Sequence, residues 1–227
     1  MHRDSTFVVG NETKAYTLKL QTDGHDYHIL TNAVKLIKHV PGMICELGTR
    51  MGGSLSYIVQ SLLENEDFNR NIVSVDPYGN IEYVDSDMAV CRYDYTNDMR
   101  SKALIAINAY LLEKPVNVIS MIMEDVEFFA RYADGVPFYN NFKVFETRYA
   151  LVYFDGPHSR EAVQNEVEFF HPRSQIGTMW VFDDPHVYDH DSVENWMLSR
   201  GWQVHEKSQF KGSLLKASYI YTGHSNG

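Results

Sequence analysis

Apolar runs about as long as buried strands alternate along the chain with segments of helical period. That alternation is the pattern of a parallel sheet covered by helices on both faces. From His25 to Val40, the residues Leu30, Ala33, Val34, Ile37 and Val40 recur at helical spacing, and Pro41-Gly42 stops the helix. Met43 to Leu47 is a short apolar strand broken by Gly48. Ser54 to Leu63 then carries Leu55, Ile58, Val59, Leu62 and Leu63 on one helical face.

The rhythm continues with a strand from Asn71 to Val75 ending in Asp76-Pro77, and a helix from Thr96 to Leu112 with Thr96 as N-cap. Strands are predicted at Val116 to Ile122, Tyr149 to Phe154 and Met179 to Phe182, and helices at Val126 to Tyr132, Ser159 to Phe170 and Asp191 to Leu198. Trp202 to Glu206 and Leu214 to Tyr221 are close enough to pair as a hairpin. The fold class is therefore α/β: a doubly wound, mostly parallel seven-stranded sheet with an antiparallel C-terminal strand pair. Residues 1 to 24, 77 to 95 and 135 to 147 break the rhythm and are candidate cap and lid segments. The expected division is an N-terminal cap segment over 1–24 and a single ligand-binding domain over 25–227.

Composition narrows the picture. A chain of 227 residues with 44% hydrophobic content can bury one sizeable core without staples. Its cysteines, Cys45 and Cys91, do not suggest a disulfide framework, and no long apolar stretch suggests a leader or a membrane span. A cytoplasmic protein without a membrane partner is expected. The formal charge of -10 opposes attraction to phosphate backbones, which makes nucleic acid an unfavoured partner.

The run Glu46-Leu47-Gly48-Thr49-Arg50-Met51-Gly52-Gly53-Ser54 puts glycines at a strand-to-helix turn, where a ligand can approach the backbone. Asp76, at the end of the next strand, is placed to accept hydrogen bonds from ribose hydroxyls. Together they point to an adenosine-containing ligand. A nicotinamide dinucleotide would want G-x-G-x-x-G, and Arg50 stands where the second glycine would be. A nucleoside bearing an amino acid fits better.

With these motifs the chain resembles the class I S-adenosylmethionine-dependent methyltransferases, whose sheet is Rossmann-like, and most of all the macrocin-type sugar O-methyltransferases. The resemblance implies that Glu46, Gly48 and Gly52, with Thr49 and Ser54 of the same turn, surround the methionine part of S-adenosylmethionine. It also implies that Asp76 holds the ribose, and that Tyr78 and the segment Met123-Glu124-Asp125 flank the adenine. Glu124 and Asp125 serve equally well as acids at a helix N-terminus.

Two further strand ends carry Asp155-Gly156-Pro157-His158 and Asp183-Asp184-Pro185-His186. Ligands bind at the carboxyl edge of such a sheet, so these acids and histidines converge on the cofactor cleft. Hard oxygen ligands suit Mg2+ or another divalent cation. The metal-dependent catechol-type and macrocin-type enzymes have acids at matching places, and the resemblance implies Asp155, Asp183 and Asp184 as metal ligands, with Asp155 also beside the cofactor. It implies His158 as the general base that takes a hydroxyl proton from a small-molecule acceptor.

The expected function is metal-assisted O-methylation; a metal-independent methyltransferase and a non-catalytic nucleoside-binding protein are the alternatives. His186, Tyr188, Asp189 and His190 follow in a loop that is expected to be solvated, the alternative being that they shape the acceptor pocket or form an additional ligand set. Glu82, Asp85, Asp87 and Asp94, with Tyr78, Tyr83, Tyr93 and Tyr95, resemble a mobile lid. Phe138, Tyr139 and Phe142 suit either an acceptor pocket or a second subunit, which leaves a homo-oligomer open.

Overall fold

The computed structural model describes residues 20–22, 24–78, 96–112, 114–139 and 142–223 in full, and the strand backbones of 5–9, 12–16, 82–86 and 89–92. The lid residues Asp87, Tyr93, Asp94 and Tyr95, and the side chains of Glu82, Tyr83 and Asp85, lie outside the described residues.

In chain order the elements are β1 (Ser5–Val9), β2 (Glu12–Tyr16), α1 (Tyr27–Leu36), β3 (Met43–Leu47), α2 (Gly53–Glu64), β4 (Asn71–Val75), β5 (Glu82–Ser86), β6 (Ala89–Arg92) and α3 (Asn97–Leu111). There follow β7 (Asn117–Met121), α4 (Asp125–Arg131), β8 (Val136–Tyr139), β9 (Lys143–Glu146), β10 (Tyr149–Phe154), α5 (Arg160–Phe170), β11 (Met179–Asp183), α6 (His190–Leu198), β12 (Trp202–Phe210) and β13 (Ser213–Tyr221). The main sheet has seven strands in the order β12-β13-β11-β10-β3-β4-β7. The strands pair in parallel from β11 to β7, while β13 runs antiparallel to both β11 and β12. The order reverses between β3 and β10, and that switch point is where such sheets open a ligand crevice.

Alternate residues of the central strands serve two cores. Met43, Cys45, Leu47, Trp180 and Phe182 pack with Phe128 of α4, Val163 of α5 and Met197 of α6. Ile44, Leu151, Tyr153 and Val181 pack with Leu30 of α1, Leu55 of α2 and Ile107 of α3. Helices α1 to α3 thus cover one face and α4 to α6 the other, as period-2 side-chain alternation between two covered faces requires. Cys45 is free and buried. Trp202 of β12 stacks on Trp180 of β11 with ring centroids 3.6 Å apart, fastening the C-terminal hairpin to the sheet. Truncating either indole to alanine costs about 3–5 kcal/mol.

Local chemistry sets the helix starts. Thr96 Oγ1 accepts the Met99 N–H at 3.2 Å, and Ser159 Oγ accepts the Ala162 N–H at 3.2 Å. Glu124 and Glu127 form a capping box at α4.

Several expectations change. Each of the three stretches outside the rhythm carries a separate two-stranded hairpin: β1/β2, β5/β6 and β8/β9. The C-terminal hairpin is longer than its apolar core, because β12 runs on to Phe210 through exposed residues and two register shifts. The expected helix from His25 to Val40 is α1 followed by a 3-10 turn at Ile37–His39, where buried Arg70 donates to the carbonyls of Ile37, Val40 and Gly42.

Candidate active site

The carboxyl ends of β3, β4, β10 and β11 open onto a cavity of about 580 Å³, within the range of small-molecule sites. Of the residues expected at the site, Gly48, Thr49, Ser54, Asp76, Glu124, Asp125, Asp155, His158, Asp183 and Asp184 line it. Glu46, Gly52, Tyr78 and Met123 are not among the lining residues. Gln21 and Thr22 close the cavity from the N-terminal side.

The glycine turn is held from below and behind. Glu46 is wholly buried, on the same strand face as Ile44, and its two oxygens accept the hydroxyls of Ser54 at 2.6 Å and Ser74 at 3.0 Å. Burial pushes its carboxyl up to about 7, against the opposing effect of those two hydrogen bonds. Glu46 therefore braces the turn from behind. A Cβ on Gly48 would stand 1.8 Å from the Asp155 carbonyl oxygen, and one on Gly53 would stand 2.4 Å from Thr22 Cβ. What comes close to these glycines is the neighbouring chain as well as the cavity.

Asp76 is nearly buried, and its carboxylate is already in use. Oδ2 accepts the backbone N–H groups of Thr49 at 3.0 Å and Arg50 at 2.7 Å, and Oδ1 accepts that of Tyr78 at 2.9 Å. An ionised carboxylate offers about four acceptor positions, so one of them stays available to a hydroxyl in the cavity. Arg50 and Tyr78 both take positive φ, 45° and 46°, and the Tyr78 hydroxyl donates to the Arg50 carbonyl at 2.5 Å. Tyr78 thus locks the turn from outside the cavity.

On the other side of the crevice, Asp155 and Asp183 sit side by side, and a residue that the sequence reading missed joins them. Lys216, on β13 directly across from Asp183, is wholly buried and donates to Asp183 Oδ1 and, at 2.9 Å, to the Tyr153 hydroxyl. Burial and the neighbouring Asp183 hold the Asp155 carboxyl well above the usual range, with Lys216 opposing. Asp184 takes the left-handed backbone conformation (φ 44°), and its Oδ1 lies 3.9 Å from His186 Nδ1. Burial and Asp183 raise its carboxyl, while His158 and His186 draw it back.

These residues do not fit a divalent ion. Asp183 already carries the Lys216 ammonium, and no three His, Cys, Asp or Glu side chains converge as a metal-holding group among the described residues. The expected ligand set of Asp155, Asp183 and Asp184 is thus not assembled. The sign in the sequence was a lysine in the middle of the apolar run Leu214 to Tyr221.

His158 lies on the loop after β10, its ring parallel to that of Tyr188 (13°) with centroids 6.5 Å apart. His186 and Asp189 are exposed, as expected of a solvated loop, whereas Tyr188 and His190 are buried. The Tyr219 hydroxyl donates to Glu194 at 3.1 Å and so accepts from His190 Nε2 at 2.8 Å. That leaves His190 Nδ1 to accept the Tyr188 hydroxyl at 3.0 Å. Burial pushes the His190 imidazole down to about 4, which keeps it neutral in this chain of bonds. The C-terminal hairpin in this way fixes the ring on which His158 rests.

A family model described as a methyltransferase domain matches residues 45–185. Solved structures share the fold. The calicheamicin methyltransferase CalS11 is 17% identical with a TM-score of 0.56, covering 85% of this chain and 77% of its own. The O-methyltransferase from Bacillus cereus in complex with SAH is 11% identical with a TM-score of 0.54, covering 87% and 82%. The O-methyltransferase TomG from Streptomyces achromogenes, in complex with SAM, is 12% identical with a TM-score of 0.54, covering 86% and 78%. No curated protein matches. No helix of the described residues is long and apolar enough to cross a membrane.

Proposed function

Since the chain belongs to the methyltransferase-domain family, we propose that it transfers the methyl group of S-adenosylmethionine to a hydroxyl of a small molecule. The observation that carries this reading is that the Asp76-organised turn and His158 line one and the same cavity. The similar structures described as O-methyltransferases support a hydroxyl acceptor.

S-adenosylmethionine supplies an electrophilic methyl group on a sulfonium. In this reading the free acceptor position of Asp76 takes a ribose hydroxyl, and the turn at Gly48 and Thr49 lies along the methionine part. Glu124, exposed at the start of α4, stands at the adenine end. His158 takes the acceptor's proton as its oxygen bonds the methyl carbon; the S–C bond breaks and leaves a neutral thioether. Holding the two reactants in one cavity supplies orientation, and the base adds roughly 100- to 10,000-fold. Residues 20–22 form the near end of a cap over the cofactor, consistent with the packing of Thr22 on Gly53.

The test is calorimetric titration with S-adenosylmethionine, followed by a turnover assay that detects S-adenosylhomocysteine over a panel of hydroxylated small molecules. Saturable binding with turnover on one acceptor class is the expected result. Binding without turnover on any acceptor would favour a nucleoside-binding protein, and absence of binding would remove the reading.

A further inference from the structure

Lys216 occupies a position that calls for an explanation. Long cationic side chains are almost never fully buried unless paired, and this one lies inside the sheet, opposite Asp183 in the β11/β13 register. Its ammonium is enclosed by the Asp183 carboxylate, the Tyr153 hydroxyl, and the rings of Tyr27 and Tyr153, each 5.0 Å from Nζ. Asp183 in turn lies beside the Asp155 carboxyl, and the two acids act on each other electrostatically. Both acids border the cavity, whereas Lys216 does not. The cation therefore sits behind the two carboxyl groups, on the side away from substrate.

We propose that Lys216 is a built-in cation that takes the place of a divalent ion beside Asp155 and Asp183, so that the site keeps its shape and works without a metal. The proposal rests on the methyl-transfer reading and adds the residue that compensates the acidic pair. A divalent ion drawn to Asp183 would meet a positive charge that its cage keeps from withdrawing, and like charges at contact repel strongly where water is excluded. Lys216 reaches no substrate. It is a positioning residue, acting through Asp183 on Asp155 and on the loop from Asp155 to His158.

The test reads metal binding directly, apart from turnover. With the full chain, the electron paramagnetic resonance signal of free Mn2+ should stay undiminished up to about 1 mM ion, the weak end of protein sites for hard cations. In Lys216→Met, which keeps the apolar stem and removes the charge, Asp155, Asp183 and Asp184 lose their counter-charge. This variant should bind Mn2+ at least roughly tenfold more tightly than wild type, and Lys216→Arg should again bind none.

If the methionine variant folds only with Mn2+ present, the ion should raise its melting temperature and leave that of wild type unchanged. That outcome also supports the proposal. Tight Mn2+ binding by wild type, a folded methionine variant blind to Mn2+, or one that Mn2+ cannot rescue would each overturn it. Should wild type show no methylation at all, the methyl-transfer reading fails while the Mn2+ titrations still decide the role of Lys216.

Discussion

The Asp76 carboxylate accepts the Arg50 backbone N–H at 2.7 Å, although Arg50 lies in the left-handed region, where few residues other than glycine settle. The acid at the end of β4 therefore organises the turn after β3 before any ligand arrives. Asp76→Asn puts an amide nitrogen either against the Tyr78 N–H or against those of both Thr49 and Arg50. Affinity for S-adenosylmethionine should fall by about 1.5–3 kcal/mol, the cost of losing charge-assisted bonds. Titration calorimetry on a variant with native circular dichroism checks this, and unchanged affinity would take Asp76 out of the ribose site.

His158→Ala should keep cofactor affinity within about threefold and lower turnover by roughly 100- to 10,000-fold, the usual contribution of a positioned base. Tyr188→Phe is the companion variant. It retains the ring beside His158 but removes the hydroxyl that donates to His190, so it should lower the melting temperature and leave a smaller effect on rate. Full turnover by His158→Ala across the neutral pH range would mean that the acceptor reacts without this base.

Gly48 and Gly156 sit on facing loops and should respond very unequally to alanine. At Gly48 φ is +82° and a Cβ would meet the Asp155 carbonyl oxygen at 1.8 Å, so backbone must move. At Gly156 the nearest atoms, Glu166 Oε1 and Leu47 Cβ, are 3.5 Å away, an ordinary contact. Gly48→Ala should lose at least about 2–3 kcal/mol of stability or fail to accumulate as folded protein, and Gly156→Ala about 1 kcal/mol or less. Urea denaturation of the two variants measures the difference.

The buried strands were legible because both faces of the central sheet are covered. Met43 to Leu47 and Tyr149 to Phe154 are wholly buried; the second reads as an unbroken apolar segment and the first as one interrupted only by Glu46. The small hairpins were not legible. β8 contains Pro137 and buries Val136 and Phe138 on one face, but all four of its residues are apolar or aromatic, so that alternation does not show in the sequence, and β9 is mostly exposed. Which acids and histidines share an edge of the sheet could be read from strand ends. Their partners could not: the pairing of Asp183 with Lys216 depends on the β11/β13 register, and the burial of His190 depends on Tyr219 from the same distant strand. Glu46 shows the same limit, since a motif position does not reveal whether a side chain points at the ligand or at Ser54 and Ser74.

Glu46 also makes stability depend on pH in a defined direction. Its carboxyl stands at about 7 in the folded chain against 4.5 ordinarily. Between those values the folded state holds a proton that the unfolded state has lost, so the contribution is complete below about pH 4.5 and disappears as pH rises through 7. At about 1.4 kcal/mol for each unit, the change is on the order of 3 kcal/mol. His190 acts in the opposite sense, because burial lowers its imidazole from 6.5 to about 4. Its contribution is complete above 6.5 and is lost as pH falls toward 4, so the two partly cancel in the wild-type profile. Glu46→Gln separates them: the glutamine keeps an oxygen for one serine hydroxyl and does not titrate, while His190 is common to both proteins. Urea denaturation at pH 4.5 and pH 8 should show the variant gaining on wild type by that same order, from less stable than wild type at the lower pH to equal or more stable at the higher. Parallel profiles across this window would mean that Glu46 titrates as an ordinary carboxylate and that the turn is held without its proton.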